Sequence, residues 1–305
     1  MLSAKLKPDR RYAQGGDRMI LPFMQSPDMV HMGLQRLEAS QWIQPCPNLP
    51  HYFHNKLRAR RNLGDRVFAQ LPQSFAAQRE LRRLLLQHLR GDHGRDYFAG
   101  VGRLQWHSDG ASLCWPLADD AEPLWSASLW VADDLCLLQP GGHGYELTAA
   151  SLAAPSYWRL EEKIGLPLDA IHDPVPGFGR KLSAQVARFF DHLLPGYPVW
   201  RANWSVVGSA GLTQRTASQV EDEKLYLRVE RQSLRRLPDS GAVVFAIRVM
   251  INPLPDLLAV PGALAALERA VRCLSPEEWK YKSLAPLLPA LNDFLAAAEA
   301  VGRAG

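Results

Sequence analysis

Three stretches near the middle of the chain decide how it folds. They are Val199-Trp-Arg-Ala-Asn-Trp-Ser-Val-Val207, Lys224-Leu-Tyr-Leu-Arg-Val-Glu-Arg-Gln-Ser-Leu234 and Ala242-Val-Val-Phe-Ala-Ile-Arg-Val-Met-Ile251. Successive strand side chains point to opposite faces. In the first stretch Trp200, Ala202 and Trp204 therefore share one face, and Arg201, Asn203 and Ser205 share the other. In the second, Leu225, Leu227 and Val229 oppose Tyr226, Arg228, Glu230 and Gln232. Leu237-Pro-Asp-Ser-Gly241 has turn chemistry and joins the last two stretches. The pattern is an antiparallel meander.

Working towards the N-terminus, Leu182, Val186, Phe189, Phe190 and Leu193 form an amphipathic helix closed by Pro195-Gly196. Before it come a Pro-rich loop, Asp173-Pro-Val-Pro-Gly177, and short helices from Trp158 to Ile171 broken at Gly165 and Pro167. Gln139-Pro-Gly-Gly-His-Gly144 is the turn of a hairpin whose strands hold Leu135, Leu137 and Tyr145 to Ser151. Hairpin, short helices, longer helix and meander together predict an α+β fold. Its centre is a five-stranded antiparallel sheet with helices crossing one face, the PAS-like arrangement, flanked by N- and C-terminal helices. The divisions expected are a helical N-terminal region over residues 1–122, a PAS-like core over 123–254 and C-terminal helices over 255–305.

Outside the core, Leu57, Leu63, Val67 and Leu71 hold a rough helical repeat that ends at Pro72. A second helix is expected from Ser74 to about Arg90, and the stretch from Gly91 to Glu122 reads as loop. The basic run Lys56-Leu-Arg-Ala-Arg-Arg61 reads as a solvated helix face. Gly262 to Leu274 is helical, and Ser275-Pro-Glu-Glu278 is a capping box that starts another helix.

Composition narrows the function classes. A formal charge of +4 on 305 residues, with Lys and Arg interleaved among Asp and Glu, gives no electrostatic footprint for nucleic acid. No apolar stretch approaches bilayer length, and the polar, basic stretch 1–18 carries no secretory pattern, so no membrane role is expected. Cys46, Cys114, Cys136 and Cys273 are scattered, which reads as reduced, mostly buried thiols in a cytoplasmic protein without a compact iron–sulfur motif. Gly100-Val-Gly102 lacks the rest of a dinucleotide fingerprint. No P-loop, nucleophile elbow or HExxH stands in the chain.

His172 ends a helix ahead of the stiff Pro-rich loop. Two uses fit: an axial haem ligand through neutral imidazole, or a helix-end histidine bonded to a carbonyl. His192, beside Phe189 and Phe190, is a second ligand candidate. The row Arg201, Asn203, Arg228, Glu230 and Gln232 reads as a polar wall over a pocket or as a solvent-facing sheet surface with cross-strand ion pairs.

Several stretches, in order, carry a family resemblance. They are Met32-Gly-Leu-Gln-Arg-Leu37, Ala76-Ala-Gln-Arg-Glu80, Asp134-Leu-Cys-Leu-Leu138, Pro155-Ser-Tyr-Trp158, Glu162-Lys-Ile-Gly165, Ile171-His-Asp-Pro-Val-Pro176, Trp200-Arg-Ala-Asn-Trp204 and Val229-Glu-Arg-Gln-Ser-Leu-Arg-Arg-Leu-Pro238. The chain resembles the α subunit of haem-dependent oxidative N-demethylase, a dimethylamine monooxygenase. The resemblance implies a PAS-like haem b domain that demethylates a small amine with oxygen. Electrons would come from NADPH through a flavin and iron–sulfur reductase partner, and formaldehyde would be released. It also implies His172 as the iron ligand, with Trp200, Asn203 and Trp204 around the cofactor. Arg201 or Arg228 would stabilise charge on bound oxygen, and Glu230 would orient the amine. A haem-binding PAS sensor without turnover is the alternative.

Overall fold

The computed structural model describes residues 19–26, 32–108, 110–118, 121–216 and 224–303; the polar stretch 1–18 lies outside them. In chain order the strands are β1 (Gln35–Arg36), β2 (Phe68–Gln70), β3 (Tyr97–Gly100), β4 (Arg103–Ser108), β5 (Ala111–Pro116), β6 (Asp134–Gly141), β7 (Gly144–Ser151), β8 (Val199–Val207), β9 (Tyr226–Arg236) and β10 (Val243–Pro253). The helices are α1 (Leu49–Leu63), α2 (Phe75–Asp92), α3 (Pro123–Ser128), α4 (Leu168–His172), α5 (Phe178–Lys181), α6 (Ser183–His192), α7 (Ala263–Arg272), α8 (Pro276–Tyr281) and α9 (Leu288–Arg303).

The main sheet is antiparallel in the order β1-β8-β9-β10-β6-β7-β2. It has seven strands rather than the expected five. The five anticipated strands form its middle, and β1 and β2, two and three residues long, cover its edges. Pieces that short leave no periodic trace in a sequence. A correction also applies to residues 91–122, read as loop: they build a separate three-stranded sheet, β3-β4-β5. The described residues before α3 therefore carry these strands as well as helices α1 and α2.

One face of the main sheet is wholly covered. Leu135, Leu137, Ala149, Val244 and Ala246 pack with α1–α3 and the small sheet. Further along the same face, Trp200, Trp204, Val206, Leu227, Val229 and Met250 pack with residues 20–23, α7 and Leu291 of α9. On the other face, Cys136, Leu138, Leu147, Val199, Leu234 and Val243 meet Leu160, Ile171, Phe190 and Leu193 from the helical stretch between β7 and β8. Burying a large apolar side chain contributes roughly 1.5–3 kcal/mol, so these three contacts hold the layers in place.

Buried charges tie the layers together. Lys56, expected on a solvated face, is 2% exposed, and its Nζ donates to Ser128 O, Val131 O and Asp133 O at 2.7, 3.1 and 2.6 Å. The ammonium is needed where three loop carbonyls converge, which no local charge pattern reveals. Asp133 pairs with buried Arg248 at 2.6 Å. Cys46 and Cys136 are buried as expected, but Cys114 and Cys273 are exposed. No helix among the described residues is long and apolar enough to cross a membrane.

Candidate functional site

The site lies between the second face of the sheet and helices α4–α6. Register fixes its floor: Arg201 faces Gln232, Asn203 faces Glu230 and Ser205 faces Arg228 across β8 and β9. Phe245 and Ile247 continue the same face on β10, opposite Leu234 and Gln232. Arg201, Asn203, Ser205, Glu230, Gln232, Phe245 and Ile247 are all half-buried. At one end of these rows Val199, Leu234 and Val243 are buried, and at the other Val207, Arg228 and Val249 are buried. A strip half-buried in the middle of the sheet and buried at both ends, facing helices α4–α6, is the candidate cleft.

The cover is pinned at both ends. Near its start, Leu147 N–H donates to Leu166 O at 3.0 Å and Gly165 N–H to Leu147 O at 2.8 Å, and Glu146 bridges Pro167. Gly165 turns the chain there with φ 82. Pro167, in an extended conformation, then caps α4, which ends at His172. At the far end of the cover, Arg236 donates to Leu193 O at 2.8 Å, to Phe190 O at 2.5 Å and to the Tyr145 hydroxyl at 2.6 Å. Cationic groups suit such helix-terminal carbonyls.

His172 is well defined within this frame. Its Nδ1–H donates to Leu168 O at 2.9 Å; a carbonyl can only accept, so the tautomer follows. Phe178 stacks on the ring with centroids 4.4 Å apart and planes 14° from parallel. The turn between them is closed by Val175 N–H to His172 O at 2.8 Å and Phe178 N–H to Val175 O at 3.1 Å. Burial lowers the His172 pKa below the usual histidine value, the Leu168 carbonyl opposes that shift, and the Arg201 cation adds to it. The ring is therefore neutral near pH 7, and Nε2, which has no hydrogen-bond partner among the described residues, holds the lone pair. Neutral imidazole fixed through Nδ1–H is the form in which histidine binds a metal.

The other candidates divide. His192 is exposed and its Nδ1 bonds Arg188 O, at 2.7 Å, which is ordinary helix-end behaviour. Trp200 and Trp204 lie on the opposite face of the sheet from His172 and are not brought into the cleft. Arg228 is on the cleft face but fully buried, donating to Ala154 O at 2.7 Å and Leu212 O at 3.2 Å. Its Nε lies 3.6 Å from Glu230 Oε1, and Glu230 Oε2 accepts from Gln232 Nε2 at 3.1 Å. Arg201 differs from Arg228. It makes no hydrogen bond among the described residues, and its Nε is buried without a partner. Burial lowers its pKa, opposed by Glu230 and Tyr281, yet a guanidinium stays charged.

Sequence reasoning missed Phe178 and the Phe245–Ile247 pair. The side chains gathered there are one neutral imidazole, the apolar pair Phe245 and Ile247, a cation with no hydrogen-bond partner among the described residues and a carboxylate. That set fits haem: a single ring nitrogen for the iron, apolar surface for the macrocycle and a guanidinium for negative charge. The sequence model of the family described as haem-dependent oxidative N-demethylase, alpha subunit-like, matches residues 33–291.

Proposed function

Because the chain belongs to the haem-dependent oxidative N-demethylase, alpha subunit-like family, we propose that it demethylates a small secondary amine, such as dimethylamine, at a haem held by His172. The observation that carries this reading is the His172 ring, fixed through Nδ1–H with Nε2 free in a cleft that also holds Arg201 and Glu230. The sheet order β7-β6-β10-β9-β8, with the intervening helices α4–α6 over one face, supports the reading of residues 123–254 as a PAS-like core.

Haem, when bound, would supply oxygen activation. The chain's own residues do the rest. His172 would offer Nε2 to the iron, and the Leu168 carbonyl sets the ring's orientation and raises its basicity. Phe178 keeps the imidazole from rotating. Arg201, with donors to spare, meets negative charge that develops in the cleft. Glu230 holds the ammonium nitrogen, and Arg228 and Gln232 fix the carboxylate for that task. Electrons would come from NADPH by way of a flavin and iron–sulfur partner subunit. One oxygen atom would leave in formaldehyde and the other as water, with methylamine as the second product.

The test is reconstitution with haem followed by turnover with a reductant, oxygen and dimethylamine. Steady formaldehyde release supports the proposal. Haem uptake without any release from any small amine points instead to a binding or sensing module.

A further inference from the structure

Away from the cleft, two histidines stand side by side where the end of α2 meets the segment before α1. The His88 and His93 rings are 4.8 Å apart between centroids, with planes at 87°. The His88 side chain is 2% exposed. His93, the residue after α2, is half-buried, and its Nε2 is buried with no hydrogen-bond partner among the described residues.

His88 holds a two-way contact. Its Nδ1 lies 2.7 Å from Asp92 Oδ2, and a carboxylate only accepts, so Nδ1 carries a proton. Its Nε2 meets both main-chain groups of Ile43, the N–H at 3.3 Å and the carbonyl oxygen at 2.9 Å. A neutral ring accepts from the N–H. A protonated ring donates to the oxygen instead and leaves the N–H without its acceptor.

Residues 41–45 are what this contact holds. The Trp42 ring centroid is 5.4 Å from that of His88, and Arg235 of β9 stands 4.7 Å from the Trp42 ring. Buried Arg231 donates to Trp42 O at 3.2 Å and to Gln41 O at 2.7 Å, and buried Arg248 donates to Gln44 O and Pro45 O. The segment thus gives four carbonyls to two arginines of the sheet, and His88 ties it to α2.

We propose that His88 and His93 form an acid-sensitive latch, in which neutral rings hold residues 41–45 against α2 and protonated rings release them. Two adjacent imidazolium ions would repel each other, and Asp92 is the carboxylate beside them, enough to offset one charge. Arg235 adds positive charge near His88, and Arg248 of β10 adds it near His93. Burial lowers the pKa of both rings below the ordinary 6.5, with the Ile43 carbonyl and Asp92 opposing the shift. Latched rings therefore stay neutral where released rings already take up protons. The latch is complete above about pH 6.5 and weakens as the pH falls below it.

Amide hydrogen exchange of the full chain at pH 7.5 and 5.5, corrected for the intrinsic pH dependence of exchange, tests this. One unit below 6.5, each ring that is neutral only when latched multiplies the opening constant by up to about tenfold. Wild-type protection of a peptide spanning 41–45 should fall about ten- to a hundredfold, while a β10 peptide keeps its protection. His93→Gln removes one ring and should leave a clearly smaller drop. Asp92→Asn removes the offsetting carboxylate and should deepen the drop. Equal wild-type protection at the two pH values overturns the latch, as does a β10 peptide that loses protection in parallel. A drop that is unchanged in both variants overturns it as well.

Discussion

Arg228 and Glu230, two residues apart on β9, face the same side of the sheet with Nε and Oε1 3.6 Å apart, yet only Glu230 is open to the cleft. Arg228 directs its terminal nitrogens to Ala154 O and Leu212 O, stapling two loops. Arg201, on the neighbouring strand, makes no such bonds among the described residues.

These two arginines should respond oppositely to removal. Arg228→Met leaves two buried carbonyls and Glu230 without their partner and should cost about 3–5 kcal/mol. Arg201→Met removes a cation that makes no hydrogen bond among the described residues and should cost under about 1 kcal/mol, while impairing turnover severely. Urea unfolding of the haem-free proteins measures the first difference and formaldehyde release the second. Equal destabilisation would refute the division of roles.

Lys56→Met tests the buried junction of α1 with the segment before β6. Three carbonyls and the nearby Asp133 and Asp134 lose their cation, so a loss of about 3–5 kcal/mol is expected. A midpoint of urea denaturation within experimental error of wild type would show that the ammonium is dispensable.

Lys282 predicts a pH dependence. Burial lowers its pKa to about 8 in the fold, against 10.5 for an ordinary lysine. Between those values the unfolded chain binds more protons than the folded one, so this group makes stability rise with pH across the window. The full shift corresponds to roughly 3 kcal/mol. Subtracting the profile of Lys282→Met from that of wild type, by urea unfolding between pH 7.5 and 10.5, isolates this slope. A flat difference would mean that the ammonium is not buried as described.

How much the sequence reveals depends on contrast along each strand. The face of β8 is legible because Trp, Arg, Ala, Asn and Trp alternate in polarity from residue 200 to 204, and Arg201 and Asn203 do share one half-buried face opposite Gln232 and Glu230. In β10 nearly every residue is apolar because both faces are covered, so Phe245 and Ile247 do not stand out. The strands β3–β5 did carry a signal. Leu104 and Trp106 are buried between exposed Arg103, Gln105 and His107, but aromatic and polar residues in short runs resemble loop. The capping box at Ser275 is local chemistry and forms as expected, with Glu278 N–H donating to Ser275 Oγ at 3.2 Å. Lys56 takes its role from partners distant in the chain, which periodicity cannot show. His172 stood open between two uses because its bond to Leu168 O fits either. Only the packing around it, with Phe178 on its face and Arg201 nearby, separates it from His192, which makes the same kind of bond in solvent.

The central claim is that His172 Nε2 is the iron ligand, and a haem titration followed at the Soret band tests it most directly. Wild type and His192→Ala should bind haem alike, with the same ferrous spectrum. His172→Ala should bind at least about a hundredfold more weakly, since removing a ligand exceeds the 10–100-fold loss typical of an outer-sphere partner, and added imidazole should restore the wild-type spectrum. A His172→Ala protein that binds haem as wild type does, with an unchanged spectrum, would contradict the account.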